Sequence, residues 1–547
     1  MNMGIESHAS SRGPLAAGFC AKVWQQAPVA PINNEIAPFN EPMNTSLPSF
    51  LLSPDAMLFN SFEYLLVFLP AVVVGYFWLN RRFNDRAGKL WLLSASLFFY
   101  GWWSISYLWL IFGSILFNYG MARWLGRASG RYANVLLLLS VAGNLAFLGY
   151  YKYADFFISN INLLRDNPSP LLNIALPLGI SFFTIQQIAY LVDVYEGVVV
   201  EKSIVDYSLF VTFFPHLLAG PILHHREMMP QFADKKTSIV DWKNIHLGLL
   251  IIGIGLLKKV LLADSLSTAS NEGFSSATDL IFYDAWITSL SYSMQIYFDF
   301  SGYTDMAIGA ALLFNIRLPE NFNSPFKAIN LQDYWKRWHI TLTRFITSYI
   351  YTPLLRYTSG AITFQKSMAA TFFAMFVAGL WHGASWHYVV FGVMHGAGLV
   401  VCHTWHRLKF RMPNWLAWAL TFLFVNAALV IFRADNMTIA ATVLNGMIGL
   451  NGFGAENYFF DLISGFYNPV MWNPLDNSAS SFTERKILIL LPCLLVAWLM
   501  PNTLAISRLS FLHSPGTAWV GGIIIGTAIF YALFMTSGMT KFIYFYF

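Results

Sequence analysis

Long apolar runs recur along the chain between short polar loops, and several reach the roughly 20 residues that cross a bilayer core. Examples are "YLLVFLPAVVVGYFWL", "ANVLLLLSVAGNLAFLGYY", "HLGLLIIGIGLL", "WLAWALTFLFVNAALVIF", "ILILLPCLLVAWLM" and "WVGGIIIGTAIFYALFM". Transmembrane β-strands would be about 10 residues long and would alternate; these runs do neither. The pattern predicts an all-α polytopic membrane protein of about 11–13 membrane segments, some short or broken. Residues 210–232, "FVTFFPHLLAGPILHHREMMPQF", are interrupted by Pro215, Gly220, Pro221 and Pro230. They read as a re-entrant segment, tolerated only where irregular backbone is buried in protein. Residues 316–345 and 451–485 are the longest polar stretches of the hydrophobic body.

Residues 1–56 are rich in Pro, Ala, Asn and Ser and lack a basic stretch followed by an apolar one, so they make a poor signal peptide. They are expected to be a disordered tail or an upstream mis-start, with Met57 opening the membrane body "MLFNSFEYLLVFLP". No soluble catalytic domain, internal repeat or coiled coil is visible.

Composition sharpens the class. The chain is 56% hydrophobic and 11% charged, with a mean hydropathy of +0.52; a soluble domain carries about 25% charged residues. The net charge of +5 matters less than its placement. Arg81, Arg82, Arg86 and Lys89 share one loop, and Arg123, Arg127 and Arg131 another. Two apolar segments between them, about 90–104 and 105–122, form a tight hairpin, so both loops face one side, the cytoplasm. Lys258/Lys259 and Arg407/Lys409/Arg411 are further cytoplasmic candidates. No basic soluble surface suits nucleic acid. Cys20, Cys402 and Cys493 lack metal-ligand spacing and read as apolar filler.

Ionisable groups inside a membrane protein are costly and are functional candidates by default. Four polar clusters stand out. In "FDFSGYTDMAIG", Asp299 and Asp305 are six apart and diverge by about 120° on one helix. They read as helix caps or partners of basic groups, unless Gly302 bends the chain. In "FKAINLQDYWKRWHITLTRF", Trp335, Trp338 and His339 share a helix face at i, i+3, i+4. That segment reads either as an interfacial amphipathic helix or as a binding edge for an anionic donor. In "GLWHGASWHYVVFGVMHG", His382, His387 and His395 do not have the spacing of a zinc helix, and no metal site is expected. Gly379 and Gly383 allow helices or a ligand close to the His382 imidazole, a natural proton acceptor for a hydroxyl. His387 and His395 read as structural. In "FPHLLAGPILHHRE", His216, His224, His225, Arg226 and Glu227 sit at a break and are expected to line a cavity mouth. A GxSxG elbow, a P-loop and a dinucleotide GxGxxG are absent.

"QIYFDFSGYTDMAIGAALLFNIRLPENFNSPF", "DYWKRWHITL", "GLWHGASWHYVVFGVMHG" and the ending "KFIYFYF" together resemble the membrane-bound O-acyltransferases. The group they are most similar to is the bacterial alginate O-acetyltransferase membrane subunit and its relatives. The resemblance covers about 57–547. It implies a multi-pass acyltransferase of the bacterial inner membrane, with a tunnel through the bilayer and the histidine of the WHG motif, here His382, deep inside. The histidine of the WHI motif, here His339, is the second polar position. The implied donor is a cytoplasmic thioester, acetyl-CoA, used as substrate with no bound cofactor. The acetyl group passes outward to a polysaccharide hydroxyl, with periplasmic SGNH-type partner proteins. Relatives that D-alanylate teichoic acid use a carrier-protein thioester instead. One departure stands out: where that group has an "LRDYLYIPLGG"-like stretch, this chain reads "FITSYIYTPLLRYTSG", with Ser348 at the acidic position. That loosens the identity of the acceptor or partner, not the reaction type.

The expectation is therefore His382 as general base, His339 as orienting group or oxyanion stabiliser, and Lys336 and Arg337 as cytosolic attractors of donor phosphates. A transporter would also place polar residues in broken helices, but the related halves common in transporters are not detectable. A scaffold whose partners do all the chemistry is the third option.

Overall fold

The computed structural model describes residues 57–199, 203–218, 220–275, 280–358, 360–453, 479–509, 518–534 and 542–543. The expected tail, 1–56, and most of the polar stretch 451–485 lie outside the described residues. Among the described residues the secondary structure is helical, with no β-strand. Six helices are long and apolar enough to span a membrane: Glu63–Arg82, Ile105–Leu125, Gly130–Asn162, Trp242–Ser275, Trp386–Arg407 and Asn414–Arg433. The molecule is an all-α, multi-pass membrane protein.

The helices that position the site are α1 (Leu69–Arg82), α2 (Asp85–Trp103), α3 (Ile105–Leu125), α4 (Gly130–Leu148), α5 (Ile180–Tyr195), α6 (Ile204–Thr212) and α7 (His225–Ala233). They continue with α8 (Trp242–Leu257), α9 (Phe282–Leu312), α10 (Leu331–Trp335), α11 (Ile340–Ile346), α12 (Phe364–His382), α13 (Trp386–Arg407) and α14 (Asn414–Arg433). The anticipated hairpin is α2–α3, joined through the single extended residue Ser104. Asn84 caps α2 by accepting from the Ala87 N–H. The loops around Arg81–Lys89 and Arg123–Arg131 therefore share one end of the molecule, the basic face. Arg356, just before α12, pairs with Glu196 at the end of α5, and Arg407 lies 4.3 Å over the Phe364 ring, so α12 starts and α13 ends beside α5 at that face. Tyr195 reaches Asn134, near the start of α4, and brings the end of α5 there too.

α9 is buried along almost its whole length. It crosses α8 at a glycine seam: a Cβ on Gly248 would stand 2.7 Å from the Gly309 carbonyl, and one on Gly302 2.7 Å from the Gly255 carbonyl. Only glycine permits that backbone approach. α9 runs through Gly302 as one helix. Lys258 and Lys259 correct one expectation. Read from sequence as further cytoplasmic charges, they lie inside the Trp242–Ser275 helix, facing α9. Lys259 bridges Asp299 at 2.6 Å and Asp264 at 2.8 Å, and Lys258 meets Asp305 at 2.7 Å. The Thr503 hydroxyl and the Ile543 N–H add bonds to Asp305 and Asp299. The aspartates thus partner basic groups, and pairing with them is what makes buried lysines tolerable.

Two segments enter from the basic face and return to it. The first is the Pro/Gly-interrupted stretch. Asp206 on α6 pairs with Lys89 at 2.8 Å, the Phe214 N–H reaches Ser96 halfway along α2, and Gln231 on α7 ties back to Arg317. The second is 331–356. Gln332 contacts His403 near the end of α13, Trp335 reaches His395, and His339 arrives beside Trp381. The chain then returns through Tyr349, bonded to Asp193, and Arg356, paired with Glu196. The two inner turns meet where the Ile222 N–H donates to the Thr341 hydroxyl at 3.0 Å.

Candidate active site

The site is built where α12 ends. α12 and α13 pack through Gly379 and Gly392: a Cβ on Gly379 would lie 2.4 Å from the Tyr388 carbonyl and 2.6 Å from the Gly392 Cα. The small residues beside Trp381–His382 therefore serve helix approach. Gly383 is extended and stops the helix directly after His382. Eighteen helical steps of 1.5 Å place His382 roughly 27 Å along α12 from Phe364 at the basic face. His382 is 4% exposed. Trp381, Phe432 and Phe391 surround its ring at centroid distances of 5.0, 5.1 and 5.9 Å.

The last carbonyls of any helix lack intrahelical donors. Here Lys152 supplies them, donating to the Trp381 and His382 carbonyls at 2.7 and 3.0 Å and to Ser181 Oγ at 3.0 Å. Its three donor hydrogens match three neutral acceptors, and a cation suits the negative end of the helix dipole. A π-turn at Gly149–Tyr153 aims Lys152 inward, and Tyr153 adds a bond to the Leu380 carbonyl at 2.7 Å. Sequence reading missed Lys152. Its signal was a lone lysine inside the apolar run "FLGYYKYADFF".

His339 comes to the same place from the other side. The helix face expected for Trp335, Trp338 and His339 does not form: α10 stops at Trp335, and His339 sits in the left-handed region with φ 44° as the cap of α11. The break sends the three rings apart. Trp335 goes to His395, Trp338 to Tyr334 and Phe322, and His339 to Phe300 and Trp381. His339 is fully buried, and its Nδ1 lies 3.1 Å from Asn321 Oδ1. Trp381 is next to both imidazoles, with its ring 6.2 Å from His339 and 5.0 Å from His382. Two histidines 43 positions apart in sequence thus contact one indole.

Lys336 is exposed on the turn before His339. Arg337 is half-buried, pairs with Asp333 at 2.7 Å and reaches the Asn323 carbonyl, so it holds the turn together. Neither touches the histidine pair. The other histidines have structural partners: His387 with Ser385, His395 with Trp335 and His216 with the Phe210 carbonyl. His224 bonds Tyr349, which donates to Asp193, and Glu227 pairs with Arg344. That cluster joins the two re-entrant segments. Among the described residues no three His, Cys, Asp or Glu side chains are grouped to hold a metal ion.

Known proteins resemble this chain over most of its length. The membrane-bound O-acyltransferase family model matches residues 192–440, a span holding both His339 and His382. A peptidoglycan O-acetyltransferase of Helicobacter pylori is 45% identical over 427 residues, covering 72% of this chain and 80% of that protein. A probable alginate O-acetylase of Pseudomonas aeruginosa is 37% identical over 399 residues, covering 72% and 75%. A teichoic acid D-alanyltransferase of Bacillus subtilis is 29% identical over 295 residues, covering 50% and 74%. Buried histidines brought together inside a helical membrane body, and similarity running through most of the chain, lead to one assignment: the protein belongs to the membrane-bound O-acyltransferase family and is an O-acyltransferase.

Proposed function

We propose that the protein moves an acetyl group from a cytoplasmic thioester, acetyl-CoA, through the bacterial inner membrane for O-acetylation of an extracytoplasmic polysaccharide. The observation that carries this reading is the pair of buried imidazoles that both contact Trp381, far along α12 from the basic face. The donor approaches from that face, where Lys336 attracts its phosphates, and the hydroxyl arrives from the opposite side. His382 takes the hydroxyl proton as oxygen attacks the thioester carbonyl carbon. The carbon–sulfur bond breaks, and the thiolate leaves with the proton His382 returns. His339 orients a reactant or stabilises the oxyanion. Both reactants need an aqueous path, since a charged thioester does not cross lipid. Periplasmic SGNH-type proteins are the proposed partners that carry the acetyl group onward.

Among acceptors, the glycan of peptidoglycan is favoured over alginate. At the same 72% coverage of this chain, the peptidoglycan O-acetyltransferase is 45% identical and the probable alginate O-acetylase 37%. The departure at Ser348 from the alginate-like stretch loosens the alginate assignment further.

The experiment uses purified protein in liposomes with radiolabelled acetyl-CoA outside and either glycan enclosed. His382→Ala, checked for insertion, is expected to lower transfer about 10²–10⁴-fold. Unchanged transfer in that variant rejects the assignment of the base. Label that crosses as intact acetyl-CoA rejects acyl chemistry in favour of transport.

A further inference from the structure

Asn321 is fully buried, and three donors converge on its Oδ1. They are the Thr341 backbone N–H at 3.2 Å, the Thr341 hydroxyl at 2.9 Å and Nδ1 of His339 at 3.1 Å. A backbone N–H can only donate, so the end of the amide that faces it is the oxygen. The Thr341 hydroxyl accepts from the Ile222 N–H at 3.0 Å and spends its own hydrogen on Asn321. Asn321 Nδ2 has no hydrogen-bond partner among the described residues, so the oxygen side alone dictates the orientation of the amide. An amide oxygen has no hydrogen to give, so His339 Nδ1 carries one. In a neutral imidazole the lone pair is then at Nε2. Phe300, edge-on at 4.9 Å and 86°, fixes the ring plane.

We infer that Asn321 is a positioning residue that holds His339 as the Nδ1–H tautomer, so that His339 serves acyl transfer as a hydrogen-bond acceptor at Nε2. The group it accepts from is an O–H or N–H of a reactant, other than the hydroxyl that His382 deprotonates. A neutral His339 in this tautomer has no hydrogen to offer an oxyanion, which removes one of the two roles considered for it. The inference rests on the reading that His339 lies in the transfer site. The tautomer itself does not depend on that reading, so the two fail separately.

The residue type at 321 is informative. An aspartate would accept the same three hydrogen bonds, but its charge would favour the imidazolium, which cannot accept at Nε2. The other charges near the pair are those that bear on His382: Lys152 on the π-turn and His395 on α13. Asp333 and Arg337, on the turn leading to His339, neutralise each other.

The test compares Asn321→Asp and Asn321→Leu in liposomes with radiolabelled acetyl-CoA. In Asn321→Asp the raised proton affinity of His339 moves the acid limb of the kcat/KM profile to higher pH, with activity recovering as pH rises. Asn321→Leu loses about 10–100-fold at every pH, because the ring is no longer held. A pH-independent change in Asn321→Asp, or wild-type kinetics in both variants, overturns the inference. Should the variants fail to insert, 15N NMR of the wild-type protein decides, with His339 assigned by difference from His339→Gln. Hydrogen on Nδ1 supports the inference, and hydrogen on Nε2 overturns it.

Discussion

At the scale of single residues, Lys152 carries the heaviest structural duty near the histidines. It holds the last two carbonyls of α12 from a position 230 residues earlier in sequence. Removing it orphans buried carbonyls at a cost of about 1–3 kcal/mol. Lys152→Met is expected to lower the thermal midpoint in detergent and to reduce acetyl transfer at least as strongly as it reduces folded protein. Lys152→Arg is expected to rescue little, because a planar fork does not reproduce a compact ammonium with three separate acceptors. Turnover per correctly inserted molecule is the measurement. His382 and His339 were legible in the sequence because each lies in a quotable motif. Lys152 left one local sign, a lone lysine in an apolar run, but its role was not legible because it arises from a π-turn and a long-range contact.

Among helices and turns, the glycine seam between α12 and α13 sets where His382 stands. Gly379→Ala would press a methyl against the Tyr388 carbonyl and the Gly392 backbone, and overpacking of this kind costs typically about 1–3 kcal/mol. Gly113→Ala on α3 is the matched control, since nothing lies within 4 Å of its added Cβ. There alanine is expected to be neutral or stabilising by up to about 1 kcal/mol. Melting curves of both variants, read beside activity, check the pair: a loss confined to Gly379→Ala is expected. The same seam shows why part of the local structure was readable and part was not. Small residues beside His382 signalled a close approach, and helices make it. The run "DYWKRWHI" read as one helix face because its spacing fits i, i+3, i+4. The cap on α10, the left-handed His339 and the contacts with Asn321 and Phe300 override that spacing, and those contacts come from residues outside the run.

Over the molecule as a whole, charge placement orients the protein. The basic loops of α1–α2 and α3–α4 share one face, and Arg127 stands exposed there. Gly130–Asn162 runs away from it, so the loop whose Leu172 and Asn173 N–H groups bond the Asp155 carboxylate lies at the opposite end. An impermeant maleimide added to intact cells is expected to label Asn173→Cys and not Arg127→Cys, in a background with Cys20, Cys402 and Cys493 replaced. The reverse pattern would invert the direction of transfer proposed above. Hydropathy made the all-α membrane architecture legible. Charge placement put Lys258 and Lys259 with the cytoplasmic charges, but lysines neutralised by Asp305 and Asp299 sit inside a span where unpaired ones would not.

The clamp from Lys152 also bears on how freely this enzyme's parts can be exchanged. The segment shared with the family model, 192–440, contains both histidines but not the lysine that secures the helix end carrying His382. A chimera that grafts this segment onto a foreign N-terminal third inherits the two imidazoles without the anchor of the His382 helix, unless the donor of that third also projects an amine from an equivalent bulge. The working unit is therefore larger than its signature stretch, and its division point for domain shuffling lies upstream of Gly149.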